Sequence, residues 1–154
     1  MVLRDGGFLL AGISFSEPSG NKSAANYGYG DIWLVRIDAY GTKLWDWSYG
    51  GTDTDHIFGV LETADGFRIA GAMEGGTVTG GFWLANLDGA GNVVSERFWH
   101  FPIGGALGFR MFKPMPDGGF VLGASGGDYW IARLDASVAR CFGSVRLEEW
   151  IAIP

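Results

Sequence analysis

Charge is scarce in this sequence, histidine scarcer, and cysteine nearly absent. Cys141 is the sole cysteine in 154 residues, so no disulfide can form within the chain. Lys and Arg number 11 against 17 Asp and Glu, a net charge of −6. That shortage of cations argues against nucleic acid and against an anionic membrane surface, because both are gripped mainly through Lys and Arg. No run approaches the roughly 18 apolar residues of a membrane span. The apolar run FLLAGISF is too short and lacks the n-region and small-residue cleavage site of a signal peptide, and with the repeat beginning at residue 5 no leader is expected. No segment sustains a 3.6-residue apolar period between capping residues, so no helix of consequence is expected.

What is abundant points to short strands and tight turns. Glycine occurs 27 times, and aromatic residues make up 15% of the chain. There is no collagen period, and an apolar share of 47% excludes a disordered polymer. One phrase is written three times: DGGFLLAG from Asp5, DGFRIAG from Asp65 and DGGFVLGA from Asp117. A second phrase follows each: DIWLVRID, GFWLANLD and DYWIARLD. Trp33, Trp83 and Trp130 recur at spacings of 50 and 47 residues, and Asp38, Asp88 and Asp135 repeat them. A period of this length belongs to propeller and array architectures.

The middle unit reads most fully, with strands at about 56–63, 67–72, 82–87 and 93–99. In DIWLVRID, Trp33, Val35 and Ile37 alternate with Ile32, Leu34 and Arg36, so both faces are largely apolar, as in a sheet covered on both sides. ADG before Phe67 and PDGG before Phe120 read as hairpin turns with glycine at positive φ. DAYG and DGAG read as connections in which Asp bonds the backbone ahead of it and Gly closes the turn. The third unit has a first strand at about 107–113, and its outer strand fits best within 143–151.

These phrases, with the Trp-bearing strand and the YGG that follow the first pair, resemble the bacterial and archaeal β-propeller repeats found in tandem in large, often exported proteins. The resemblance covers about residues 5–135 well and the tail poorly. It implies an all-β fold of about three antiparallel four-stranded blades, an incomplete propeller in one domain. The blades would span about 1–50, 51–100 and 101–154. Only four residues precede Asp5, so the first blade is expected to lack its first strand or keep a stub. Closed propellers need roughly four to eight blades. The chain is therefore expected to be a piece of a longer propeller, to close a ring by self-association, or to stand as an open arc. The resemblance says little of activity and implies an exported parent; because no catalytic constellation stands out from the repeat, a non-catalytic interaction or scaffolding module with protein as the partner is expected, the alternative being a calcium- or carbohydrate-binding or hydrolytic domain that uses the loop rim.

Binding residues are sought on the loop rim of such a fold, at 13–30, 50–55, 74–81 and 100–106. Tyr27 and Tyr29 end the long polar first loop and could stack on a ligand, although a simple insertion accounts for that loop equally. Asp53 and Asp55, in GGTDTDH, offer hard oxygens suited to calcium; a turn at the strand entrance explains them as well. His56 and His100 fall near the same rim, but two histidines without a third ligand make a poor zinc site. Ser48, His56 and Asp53 have the residue types of a hydrolytic triad without any geometric support. Trp33, Trp83 and Trp130 read as core. Trp45, Trp47, Trp99 and Trp150, on outer strands, are candidates for sugar or protein contact. Arg110, on an inner strand, could face a central channel or simply be solvated there, Cys141, in the tail, reads as a small apolar filler, and nothing spells a quinone site.

Overall fold

The computed structural model describes residues 1–75, 78–100, 108–116, 119–126, 128–134 and 150–153. Among them every regular element is a β-strand: β1 (Phe8–Ser14), β2 (Asp31–Ile37), β3 (Lys43–Tyr49), β4 (His56–Glu62), β5 (Gly66–Gly75), β6 (Val78–Asp88), β7 (Val93–His100), β8 (Gly108–Pro114), β9 (Phe120–Gly126), β10 (Asp128–Leu134) and β11 (Trp150–Ile153). They form three antiparallel sheets, none closed on itself: β1-β2-β3, β4-β5-β6-β7 and β11-β10-β9-β8. The chain divides into two compact units, Met1–Phe101 with the first two sheets and Pro102–Pro154 with the third.

The strands alternate Val, Ile, Leu and aromatic residues, which suit a pleated surface buried on at least one side. Register is common to the three sheets. Phe8 faces Ile37, Phe67 faces Leu87 and Phe120 faces Leu134. The pairings of β4 with β5 and of β8 with β9 both shift register at the same place, between Ile57 and Gly59 and between Phe109 and Met111.

Two turns follow the expected chemistry closely. Asp38 Oδ1 accepts from the N–H groups of Tyr40 and Thr42, and Asp88 Oδ1 from those of Ala90 and Asn92. Gly41 and Gly91 close these turns at φ of 89° and 88°, where an L side chain is strained. The bonds hold both carboxyls below the usual range, led by the Thr42 N–H for Asp38 and by the Asn92 side chain for Asp88.

The first sheet has three strands, and Met1–Leu3 forms only a stub against β1, with Leu9 N–H donating to Met1 O at 3.0 Å and Val2 bridging Phe8. In the third sheet Trp150–Ile153 pairs with β10 as its outer strand; the expected outer strand within 143–151 overlaps it at 150–151 and otherwise lies outside the described residues. One expectation is corrected. Trp33 is half-buried, whereas Trp83, at the same register position, is buried in the core. The side chains of Arg110 and Trp130, with Cys141 and Asp135, lie outside what the structure describes.

The core of the first unit lies between its two sheets. Leu9, Ile32, Leu34 and Tyr49 from β1–β3 pack with Phe67, Ile69, Trp83, Ala85 and Leu87 from β4–β7. Aromatic contacts cross the interface: Trp45 meets Phe67 edge-on at 6.0 Å, and Tyr49 lies 5.9 Å from Trp83. Beyond the core, β3 reaches the β6–β7 turn. Trp45 Nε1 donates to Gly89 O at 3.1 Å, Trp47 Nε1 to Ala90 O at 2.9 Å and Tyr49 Oη to Gly91 O at 2.6 Å. Three alternate residues of one strand thus satisfy three consecutive carbonyls of a turn that protrudes from the neighbouring sheet. Burial pushes the Tyr49 hydroxyl well above its ordinary pKa.

Candidate functional site

Two carboxylates meet where the first two sheets join. The backbone makes the joint: Gly30 bridges Thr54 in parallel, Asp55 N–H donates to Gly30 O at 2.7 Å, and Asp53 N–H donates to Glu74 O at 3.3 Å. This brings Asp31, at the start of β2, beside Asp55, just before β4. Both side chains are wholly buried. A Cβ on Gly50 would strike Asp55 Oδ2 and Asp31 Oδ1 together, so only glycine lets the two carboxylates close over that position.

Their hydrogen bonds are unequal. Asp55 accepts from the N–H groups of Gly51 and Glu74, both at 2.8 Å. Asp31 Oδ2 accepts from Tyr27 N–H at 2.6 Å, while its Oδ1 has no hydrogen-bond partner. Burial pushes the Asp55 carboxyl up, the Asp31 and Glu74 charges add to the rise, and the two backbone donors only partly offset it. Buried anions need a cation, a proton or full hydrogen bonding. Asp31 Oδ1 has neither a cation nor a hydrogen-bond donor among the described side chains.

A third buried carboxylate has the opposite surroundings. Asp46 on β3 accepts from Ser23 N–H at 2.8 Å, Ala24 N–H and Trp33 Nε1 at 3.1 Å, Lys43 Nζ at 2.7 Å and the Ser23 hydroxyl. Burial alone would raise its pKa; the Lys43 ammonium and the Ser23 and Ala24 donors outweigh that and hold it far below the carboxylate range. Asp46 therefore fastens the middle of the 15–30 loop to the sheet.

Of the rim residues, Tyr27 and Tyr29 are exposed beyond that anchor, with Tyr29 edge-on to Phe15 at 5.7 Å. Asp53 contributes its backbone to the joint while its side chain faces solvent, so Asp55 is joined by Asp31 rather than by Asp53. His56 opens β4 and His100 ends β7, at one end of the sheet but on its opposite edges. Three strand spacings separate those edges, about 14 Å of backbone. Ser48 is buried and its hydroxyl bonds no base. Among the described residues, no three His, Cys, Asp or Glu side chains gather to hold a metal ion. Trp45 and Trp47, expected as contacts for sugar or protein, are engaged by the β6–β7 turn. The indole of Trp99 packs with Phe82 at 5.5 Å and lies under the Arg97 guanidinium at 5.4 Å.

One sheet face is also apolar. Leu10, Trp33, Val35 and Ile37 line a groove of about 670 Å³ on the side of β1–β3 turned away from the core, with Asn21, Gly41 and Lys43 at its margin. Phe8 and Leu10 are 37% and 49% exposed. At the same register positions Phe67 and Ile69 are 5% and 0% exposed, and Phe120 and Leu122 are 3% and 2% exposed. Single exposed apolar residues are ordinary, whereas a contiguous apolar face marks an interaction surface. This feature was not read from the sequence, because identical phrases occupy covered and uncovered positions.

Compared with known proteins, no family model matches the chain, and no curated protein matches it.

Proposed function

We propose that this chain is a non-catalytic, propeller-type module that works by binding protein through the outer face of its first sheet. The observation that carries the reading is the exposure of Phe8 and Leu10, set against the burial of their counterparts in both other sheets. The shared register and the repeated aspartate-anchored turns support the blade reading, and the resemblance to tandem propeller repeats agrees with it. The test is a photo-crosslinking residue at position 10, irradiated in an extract of the source cells. A discrete protein adduct is expected at position 10 and not at position 40, where Tyr40 is almost fully exposed on a turn. Labelling that is equal at both positions contradicts the module.

A second reading, a calcium-binding module, is favoured by the unpartnered Asp31 Oδ1 beside Asp55. Those oxygens are the hard donors calcium prefers, and the Asn26 side-chain oxygen, also buried and unpartnered, is of the same type. Binding to the native state must raise the melting temperature. Under this reading millimolar calcium raises it in the wild type and not in Asp31→Asn; no shift in the wild type removes the reading.

A further inference from the structure

We propose that the free edge of β1 takes up an extended strand from another polypeptide, completing the first sheet as β4 completes the second and β8 the third. The inference goes beyond the face-binding reading: it concerns the edge of the same sheet, and it stands or falls by itself.

The other two sheets show what belongs at that edge. Phe8–Ile13 of β1, Phe67–Ala72 of β5 and Phe120–Ser125 of β9 hold one register against β2, β6 and β10. On the opposite edge β5 pairs with β4 and β9 with β8, both antiparallel. On β1 the stub begins that pairing at Phe8 and Leu9: Leu9 N–H donates to Met1 O at 3.0 Å, and the Met1 amino group donates to Leu9 O at 2.9 Å. The alternation of an antiparallel ladder then turns the N–H and C=O groups of Ala11 and Ile13 to the same side. Among the described residues no backbone group pairs with them there. An unpaired strand edge is a template for pairing.

Beside this edge there is room and an apolar wall. A notch of about 440 Å³ lies between Leu9, Leu10 and Ala11 on one side and Ile57, Phe58 and Val60 of β4 on the other. No residue of β4 is fully buried, although Ile57 and Val60 pack against the core. A strand continuing the stub's pairing along β1 would lie against this half-buried row.

Gly12 carries the argument further. It pairs with Trp33 as Gly71 pairs with Trp83 and Ala124 with Trp130, so the position is small in all three sheets. At Gly71 the fourth strand explains the size: a Cβ there would lie 2.5 Å from His56 O and 2.9 Å from Ile32 Cδ1. At Gly12 a Cβ would meet nothing within 4 Å. The first sheet thus keeps a small residue where only an added strand requires one.

The same comparison states the chemistry of the occupant. Val60 of β4 and Phe112 of β8 pair with Ile69 and Leu122, the counterparts of Leu10. The incoming segment therefore runs antiparallel to β1, carries a bulky apolar residue opposite Leu10, and has no proline within it, since proline cannot donate to the ladder. Main-chain bonds supply the affinity of such an addition and the apolar side chain its selectivity.

The test is fluorescence anisotropy of a labelled HIFGVLE peptide, the sequence of β4, titrated with the purified chain. Saturable binding is expected. The same peptide with proline in place of Val60 and Leu61 should bind at least tenfold more weakly, because one of two successive residues must turn its N–H toward β1. Gly12→Val should melt at or above the wild type, since a β-branched residue suits a strand better than glycine. It should also bind the peptide at least tenfold more weakly, because its side chain takes the place of the incoming backbone. No binding by the wild type, equal binding of the two peptides, or a folded Gly12→Val that binds as the wild type does overturns the proposal. If Gly12→Val does not fold, the two peptides decide. Sedimentation velocity identifies another occupant: a dimeric wild type that takes no peptide, beside a monomeric Gly12→Val, means that the β1 edges of two copies pair, and overturns the added foreign strand. An adduct at position 10 in a chain that binds no peptide leaves the face-binding reading standing.

Discussion

Gly91→Ala against Gly41→Ala is the sharpest test of how the first two sheets are held together. The two glycines close equivalent turns at φ of 88° and 89°, so each substitution incurs the same left-handed strain, about 1 kcal/mol. Their surroundings differ. A Cβ at Gly41 would meet nothing within 4 Å, whereas one at Gly91 would lie 2.5 Å from Trp47 Cδ1 and 3.0 Å from Trp47 Nε1. Trp47 must then swing away and give up its hydrogen bond to Ala90 O. A neutral hydrogen bond contributes about 1 kcal/mol net. Some packing is lost as well, although Trp47 is already partly exposed. Gly41→Ala is expected to cost about 1 kcal/mol and Gly91→Ala about 2–3 kcal/mol, by urea unfolding followed through tryptophan fluorescence. Equal losses would refute the indole clamp between β3 and the β6–β7 turn.

Other consequences follow from the buried polar groups. Tyr49→Phe removes the bond to Gly91 O and is expected to cost about 1 kcal/mol; in the wild type one of the five tyrosines should ionise only on unfolding, seen by ultraviolet titration. Asp46→Asn turns a fully bonded acceptor partly into a donor, and a loss of about 3 kcal/mol is expected by thermal melting. Because the folded state holds the Asp46 pKa below its unfolded value of 3.8, its stabilisation is present above that pH and fades as the pH falls further. Asp55 has the opposite sign: its pKa is raised on folding, so its contribution is present below pH 3.8 and is lost as the pH climbs through the folded value. Asp31→Asn removes the neighbouring charge and offers an N–H to Asp55, so stability at pH 7 should equal or exceed that of the wild type, with less decline from acid to neutral pH. A drop beyond about 1 kcal/mol would show that Asp31 is held by something other than Tyr27 and Asp55.

The sequence was legible wherever the chemistry is local. The Asp38 and Asp88 turns, the alternation in β2 and the strands of the second sheet follow from residues within a few positions of one another, and the structure agrees with them closely. It was less legible wherever a partner arrives from another sheet. Asp53 and Asp55 alternate in GGTDTDH and invite a shared role, yet the carboxylate beside Asp55 is Asp31, 24 positions earlier. Nothing local marks that pair except Gly50, whose small size the two carboxylates require. Trp45 and Trp47 read as surface aromatics because the turn that accepts their N–H groups belongs to a different sheet. Trp33 and Trp83 share a motif and a register but not a degree of burial, because only the second has a sheet packed over it. Repetition in sequence sets the strand and its register; it does not say whether a neighbour is present.

That contrast is open to direct measurement with Leu10→Asp and Ile69→Asp, the same change at one register position in two sheets. If the outer face of the first sheet is a docking surface, Leu10→Asp leaves a folded chain whose monomer melts within a few degrees of the wild type. Ile69→Asp buries a carboxylate in the core and costs more than about 4 kcal/mol, abolishing cooperative melting. Equal destabilisation at the two positions would mean that Leu10 is as much a part of the core as Ile69, and would contradict the account.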